Sequence, residues 1–336
     1  MRVRRSLAAL LVLPLLAAPL AQANAATGDD LPPPAHPGGE VTGPVTPRAT
    51  TSIDTSSKAA VKQAYRRLWV RGQQSRPRWR GGSTAKCRPG RLANESTKRQ
   101  LNAINFARRM SGLTPLTLDD STVKEAQAAA LIMTAKHAVS HYPPRDWPCW
   151  TRAGYDAAGE SNLYEGTSRE SNSDKIEAYL DDWGGGNHRV GHRRWLLYPY
   201  LDAVGIGGTR TANVTHLFGS PFDEAAPNPQ WVSWPTAGWF PSRLDPRGRW
   251  SLSSGTDSTD FSSATVDVTH RGRDIKGIKL RTPDNGVGKP TLVWEMPARV
   301  WPGKPVGTAR VTVSGIVVDG VPGQVAAYTV RFFRTR

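Results

Sequence analysis

Four of the seven histidines fall in two pairs spaced by four residues: His137 and His141 in KHAVSH, and His188 and His192 in NHRVGHRRWLLYP. Between and beside them lie Glu160, in AAGESNLYEG, and the adjacent acids Asp181 and Asp182. Two imidazoles and one or two carboxylates brought together suit a divalent metal such as zinc. The same set could supply acid and base groups for proton transfer, with Glu160, His141 and His192 as the candidates. Spacing leaves both chemistries open beside a third, in which a helix-end histidine meets a carboxylate for structure only. The chain has no HExxH and no GxSxG, so the usual zinc-peptidase and serine-hydrolase signatures are absent. A serine hydrolase would have to use Ser140 or Ser161, each beside one of these candidates.

These residues need elements to hold them. STKRQLNAINFARRMSGL reads as a helix with Leu101 and Ile104 on one face and Gly112 as its stop. Thr122 and Glu125 have capping-box spacing, and VKEAQAAALIMTAKHAVSH continues as an alanine-rich helix ending near His141. Such a helix places His137 one turn from His141 on the same face, where packing in a core is the favoured reading. A third helix from near Ser173 shows Ile176, Leu180 and Trp183 on one stripe, and short strands are expected at 203–209 and 215–220. His188 reads as a solvated turn residue. Arg193 and Arg194 could grip an anion at a cleft rim, with at least one facing solvent as the favoured reading. Trp195, Leu196 and Leu197 should anchor the segment to the core.

The first 25 residues have a basic start, an apolar Leu/Ala stretch and A-x-A order at the end, the pattern of a secretory signal peptide. Pro14 and Pro19 interrupt the stretch too early for a membrane anchor, and no later segment is long and apolar enough to span a bilayer. Export implies an oxidising compartment, so the two cysteines, Cys87 and Cys149, are expected to pair. A loop of roughly 60 residues closed in this way stabilises by about 4 kcal/mol on the chain-entropy view. The formal charge is +16, with Arg2, Arg4 and Arg5 in the signal. The charge reads as spread along the chain without a run of five basic residues. That suits an anionic cell-wall polymer or lipid headgroups, and no nucleic-acid module is recognisable.

Residues 26–58 are rich in Pro, Gly and Thr and should form a disordered linker. Residues 59–93 read as a helical lead-in, with Val61, Tyr65, Leu68 and Trp69 at helical spacing. From about residue 223 to 336 the pattern changes to short alternating stretches separated by turn residues, which argues for an antiparallel sandwich. Trp231, Trp234, Trp239 and Trp250 open this region. They could form a platform for sugar rings, the route by which the β-domain would act as a wall adhesin. The favoured reading has them filling the seam between two domains.

Taken in order, NAINFARRMSGLTPL, Ser140-His141, the Gly-Glu-(Ser)-Asn element at 159–162 and GHRRWLLYPYLDAVGIG resemble the CAP superfamily of secreted proteins (cysteine-rich secretory, antigen 5 and pathogenesis-related 1), and most of all its bacterial branch. The resemblance implies an α+β chain: a three-layer α-β-α sandwich over residues 94–222, followed by the antiparallel all-β, immunoglobulin-like sandwich. It implies a central cleft with two histidines and two acids: His141, Glu160, His192 and, three residues after Tyr179, Asp182, with Asp181 as the alternative. Two departures stand out: Ser161 is inserted between Glu160 and Asn162, and an aspartate replaces the family's second glutamate. Known proposals for the family span ligand binding and peptidase-like hydrolysis. The expectation is therefore a surface-acting binding protein holding a divalent metal or small ligand, with a metal-assisted hydrolase as the alternative.

Overall fold

The computed structural model describes residues 24–25, 52–218, 222–281 and 288–335. Most of the expected signal and most of the expected linker lie outside these residues, as does the end of the strand expected at 215–220; the linker's last residues, 52–58, are ordered, with Ile53 buried and its N–H donating to the Arg109 carbonyl. The first described pair, β1 (Asn24–Ala25), lies antiparallel to Tyr164 and Glu165. The lead-in is a continuous helical run: α1 (Lys58–Ala64), a π-helical turn (Tyr65–Val70) and α2 (Arg71–Gln73). Ser57 caps it by accepting the Ala60 N–H. Tyr65 and Trp69 are buried and meet the Phe106 ring edge-on, which fixes the run against the next helix. A small hairpin of β2 (Trp79–Arg80) and β3 (Arg91–Leu92) follows. The disulfide between Cys87 and Cys149 ties its turn to the loop that precedes the fifth helix.

The α-β-α sandwich is built by α3 (Asn94–Met110), β4 (Thr117–Leu118), α4 (Val123–Lys136), α5 (Arg152–Gly159), β5 (Ser161–Glu165), α6 (Asn172–Asp181), α7 (Gly191–Leu196), β6 (Ala203–Gly208) and β7 (Ala212–His216). The sheet order is β1-β5-β7-β6-β4, with β4 and β6 parallel and the other pairs antiparallel. One face is covered by α4 and α5 through small residues, Ala126, Ala129, Ala130, Ala157 and Ala158, closing over Leu163, Ala212 and Val214. Small side chains let α4 lie almost on the strand. A Cβ at Gly207 would stand 2.3 Å from the backbone carbon of Ala126, so the G-x-G of β6 is a packing requirement.

Two local expectations change. Thr122 has helical backbone angles and its hydroxyl donates back to the Asp119 carbonyl, so it makes no capping box. The capping box is at Ser171 and Asp174, at the start of α6. Helix α4 stops at Lys136 because His137 turns left-handed (φ 57°). His137 and His141 are therefore not stacked on one helix face. The Trp183 stripe also fails, since α6 ends two residues before it and its ring lies exposed beneath Arg247 and Arg249.

The C-terminal region comprises β8 (Trp231–Trp234), β9 (Gly238–Pro241), β10 (Arg249–Ser254), β11 (Thr265–His270), β12 (Arg273–Asp274), β13 (Lys279–Leu280), β14 (Thr291–Glu295), β15 (Gly307–Val318) and β16 (Val321–Phe333). They form two sheets, β13-β14-β10-β8 and β12-β11-β15-β16-β9, antiparallel except where β9 runs parallel to β16. Aromatic rings of Trp234, Phe240, Trp250, Trp294, Trp301 and Phe332 fill the space between them. This core is continuous with the one beneath α3 and α6, so the two parts of the chain share one apolar interior. Among the described residues no helix is long and apolar enough to cross a membrane.

Candidate functional site

Helix α6 ends because Asp182 takes the left-handed conformation (φ 47°), which turns its carboxylate back toward α7. His192 is the second residue of α7, and its Nδ1 lies 2.8 Å from Asp182 Oδ1. The other carboxylate oxygen accepts the Arg193 N–H at 3.3 Å. The ring of Tyr179, one turn before Asp182, stacks on the His192 imidazole with centroids 5.5 Å apart. The Tyr179 hydroxyl donates to main-chain carbonyls of β5 and β7, and burial raises its pKa well above the ordinary phenol value. Asn162, at the other side, donates to the His192 carbonyl at 2.9 Å.

His141 arrives from the loop after α4. Its Nδ1 is 2.7 Å from the Ala158 carbonyl at the end of α5. The ring is fully buried, and desolvation pushes its pKa down to about 4, helped by the neighbouring His192. In both imidazoles Nδ1 faces an acceptor, so the hydrogen-bond network places a proton on Nδ1, and in the neutral ring Nε2 is the lone pair. Both Nε2 atoms are buried without a hydrogen-bond partner among the described residues.

Glu160 does not join them. It caps the C-terminus of α5, remains half exposed, and places Oε2 3.4 Å from Nε2 of His216. Partial burial, with Asp156 and Glu125 nearby, raises its pKa. His216 is buried at the end of β7, on the sheet face of Ala212 and Val214, and desolvation lowers its pKa to about 4. Asp181, the alternative acid, lies against Arg247 at 3.4 Å. Burial of its carboxyl pushes its pKa up to about 6.

The four residues expected to hold zinc thus separate into a buried trio, His141, His192 and Asp182, and an outlying Glu160. No cluster of three or more His, Cys, Asp or Glu side chains that could hold a metal occurs among the described residues. With both Asp182 oxygens engaged, only two imidazole donors remain, fewer than a resident zinc requires. The residues do not fit a resident metal. The serines offer no alternative: Ser161 donates to the Ala157 carbonyl at 2.6 Å, and Ser140 accepts the Tyr142 N–H.

The loop carrying Asp182 and His192 is held from the β-domain. Arg249 Nη1 donates to the carbonyls of Asp182 (2.6 Å), Gly184 (3.1 Å) and Asn187 (3.3 Å), while its Nε meets Glu295. Arg193 returns the contact, donating to the carbonyls of Leu180 and Asp181 and to the Ser251 hydroxyl. The favoured expectation that one of Arg193 and Arg194 faces solvent is therefore corrected. Both are buried, and Arg194 donates to the Lys289 carbonyl. Val190, at the end of the same loop, is in a left-handed conformation (φ 47°), which a β-branched residue adopts only under constraint.

The remaining expected residues are accounted for locally. His137 is largely exposed, 3.7 Å from Glu165, and His188 is half-buried in the 182–190 loop. Trp195, Leu196 and Leu197 are buried as anchors. Trp234 and Trp250 are enclosed and offer no face to a sugar. Trp231 packs against Phe261 inside the β-region, and Trp239 against Phe333 with the Lys58 ammonium 4.6 Å over its ring, so of the four only Trp239 lies where the helical lead-in meets the β-region, and the others fill the β-region itself. Sequence reasoning missed His216 and Arg249. A histidine alternating with Ala212 and Val214 on an inward strand face was a readable signal for the first; nothing local marks the second.

Helices on both faces of a mainly antiparallel sheet, with two buried histidines at one end, make this part of the chain an α-β-α domain. Residues 101–218 match the model of the cysteine-rich secretory protein family, CAP, and this part of the chain is a CAP domain. No curated protein matches the chain.

Proposed function

We propose that this is an exported CAP-domain binding protein that takes a small hydrogen-bond-donating ligand between His141 and His192. One observation carries the reading: two buried imidazoles hold Nε2 atoms without a hydrogen-bond partner, each ring fixed from behind by a Nδ1 contact. A buried acceptor without a partner costs about 1–3 kcal/mol, and a ligand hydroxyl or ammonium relieves two such costs at once. The low His141 pKa keeps that ring an acceptor at neutral pH. Export is supported by the signal-like N-terminus and by a disulfide that suits an oxidising compartment.

The test is a titration of the mature protein with a panel of polyols and primary amines, read by histidine ring NMR. Ligands should shift the His141 and His192 Nε2 signals and leave His216 unmoved, and the His141→Ala/His192→Ala variant should lose the response. Zinc calorimetry runs beside it. One equivalent of zinc bound by the wild type and lost in the double variant would replace the ligand reading with a metal one. A panel that moves neither ring would remove the site from consideration.

A further inference from the structure

Between Thr55 and Asn94 the chain carries eleven Lys and Arg residues and no Asp or Glu, a quarter of its 44 basic residues in about an eighth of its length. The charge is therefore concentrated in the lead-in, against the even spread read from the sequence as a whole. Lys58, Lys62 and Arg66 recur every fourth residue along α1 and into the following turn. An ordinary helix would then rotate the next cation off the stripe. The turn at Tyr65–Val70 is π-helical, with i to i+5 periodicity, and brings Arg71 back beneath Arg66. Lys62, Arg66, Arg67 and Arg71, with Gln63 and Gln74, line one open groove of about 770 Å³.

Nothing acidic answers this stripe among the described residues: none of these four cations has an ion-pair partner there. Like charges one turn apart destabilise a helix, and burial, with the Arg67 charge beside it, depresses the pKa of neighbouring Arg109. Large exposed apolar side chains, which a membrane-inserting surface would need, are at Tyr142, Trp183, Leu280, Val300, Val321 and Val325, all outside the lead-in. An open groove lined by side chains of Lys, Arg and Gln, with a cation at each turn, fits a linear chain carrying an anion every ~5–6 Å, the spacing of i,i+4 neighbours.

We propose that the α1–α2 groove is a docking site for a linear phosphodiester polymer of the cell wall, gripped by Lys62, Arg66, Arg67 and Arg71. It shares with the function proposed above only the export of the chain, and it does not depend on the histidine site.

The test uses the full mature chain and poly(glycerol phosphate) as probe, with phosphatidylglycerol-containing vesicles and a DNA duplex as competitors, at several salt concentrations. Binding should weaken roughly 50-fold between 0.05 and 0.2 M salt, as four phosphate contacts imply. The Lys62→Gln/Arg66→Gln/Arg67→Gln/Arg71→Gln variant should lose at least about tenfold in affinity and most of the salt slope. A control with the same charge change on the β-domain, Arg273→Gln/Lys279→Gln/Lys304→Gln/Arg310→Gln, should bind like wild type. Circular dichroism checks the fold; if the fourfold variant fails to fold, Arg66→Gln/Arg67→Gln carries the test with an expected loss of about fivefold. Equal weakening in the control would show diffuse charge attraction and overturn the site. Preference for vesicles or duplex would overturn the polymer, and no binding at low salt would overturn both. The His141→Ala/His192→Ala variant should retain polymer binding, so the two proposals fail separately.

Discussion

Two imidazole–carboxylate pairs flank the same end of the CAP sheet and differ in almost everything except composition. His192 and Asp182 are both enclosed, 2.8 Å apart, and clamped through the backbone by Arg249 of the β-domain. His216 is buried, but its partner Glu160 is half exposed and 3.4 Å away. In the first pair the carboxylate has no water to fall back on, so it fixes the ring's tautomer and direction. In the second, solvent competes for Glu160 and the contact constrains little. Composition alone makes the pairs look equivalent; burial and a donor from another domain make only one of them a positioned site.

The largest expected consequence follows from that difference. Asp182→Ala leaves His192 Nδ1 and the Arg193 N–H buried without a partner and should cost about 1–3 kcal/mol for each of these two donors. Urea unfolding followed by fluorescence measures it.

Next comes the acid response. His141 and His216 have folded pKa values lowered to about 4 from an ordinary 6.5. The unfolded chain therefore binds more protons in that interval. Stability from these rings is complete above pH 6.5 and is lost as pH falls toward 4, by up to about 3 kcal/mol per ring. Buried carboxyls act in the opposite direction, Asp245 with a pKa raised to about 7 and Asp181 to about 6. The informative quantity is therefore the difference between wild type and His141→Gln across pH 7 to 4.5. The wild type should lose more stability over that interval than the variant.

Arg249→Lys tests the clamp. It keeps the charge but sacrifices about two of the carbonyl contacts, for an expected loss of about 2 kcal/mol. Faster amide exchange should be confined to residues 182–190. Smallest is Glu160→Gln, expected to change stability by less than about 1 kcal/mol, as for exposed pairs. A loss at Glu160 equal to that at Asp182 would erase the distinction between the pairs.

The sequence made the layers legible because they rest on local signals. Alanine-rich α4, the glycines of β6 and the alternation in β15 and β16 each report their own environment. Two chain reversals were hidden. His137 and Asp182 end their helices in left-handed conformations at residues that are not glycine. For that reason the helix expected to reach His141 stops short of it, and the acids after Tyr179 part company, one toward His192 and the other toward Arg247. The Arg249 clamp could not be read either, because it joins residues more than sixty positions apart through backbone carbonyls, which carry no sequence signature. Glu160 was misplaced for a simpler reason: it stands at a helix C-cap, where its side chain reaches the inward-facing His216.

The central claim is that His141 and His192 each spend a Nδ1 proton on a fixed acceptor and keep Nε2 for a ligand, with the His141 ring neutral. Long-range ¹H–¹⁵N spectra of the histidine rings at pH 7 measure this directly. The account predicts protonated Nδ1 nitrogens in both rings and a His141 Nε2 that resonates in the unprotonated range and keeps this state down to about pH 5. A proton on the His141 Nε2 at pH 7 would contradict it, because the ring would then offer a donor where the proposed ligand needs an acceptor.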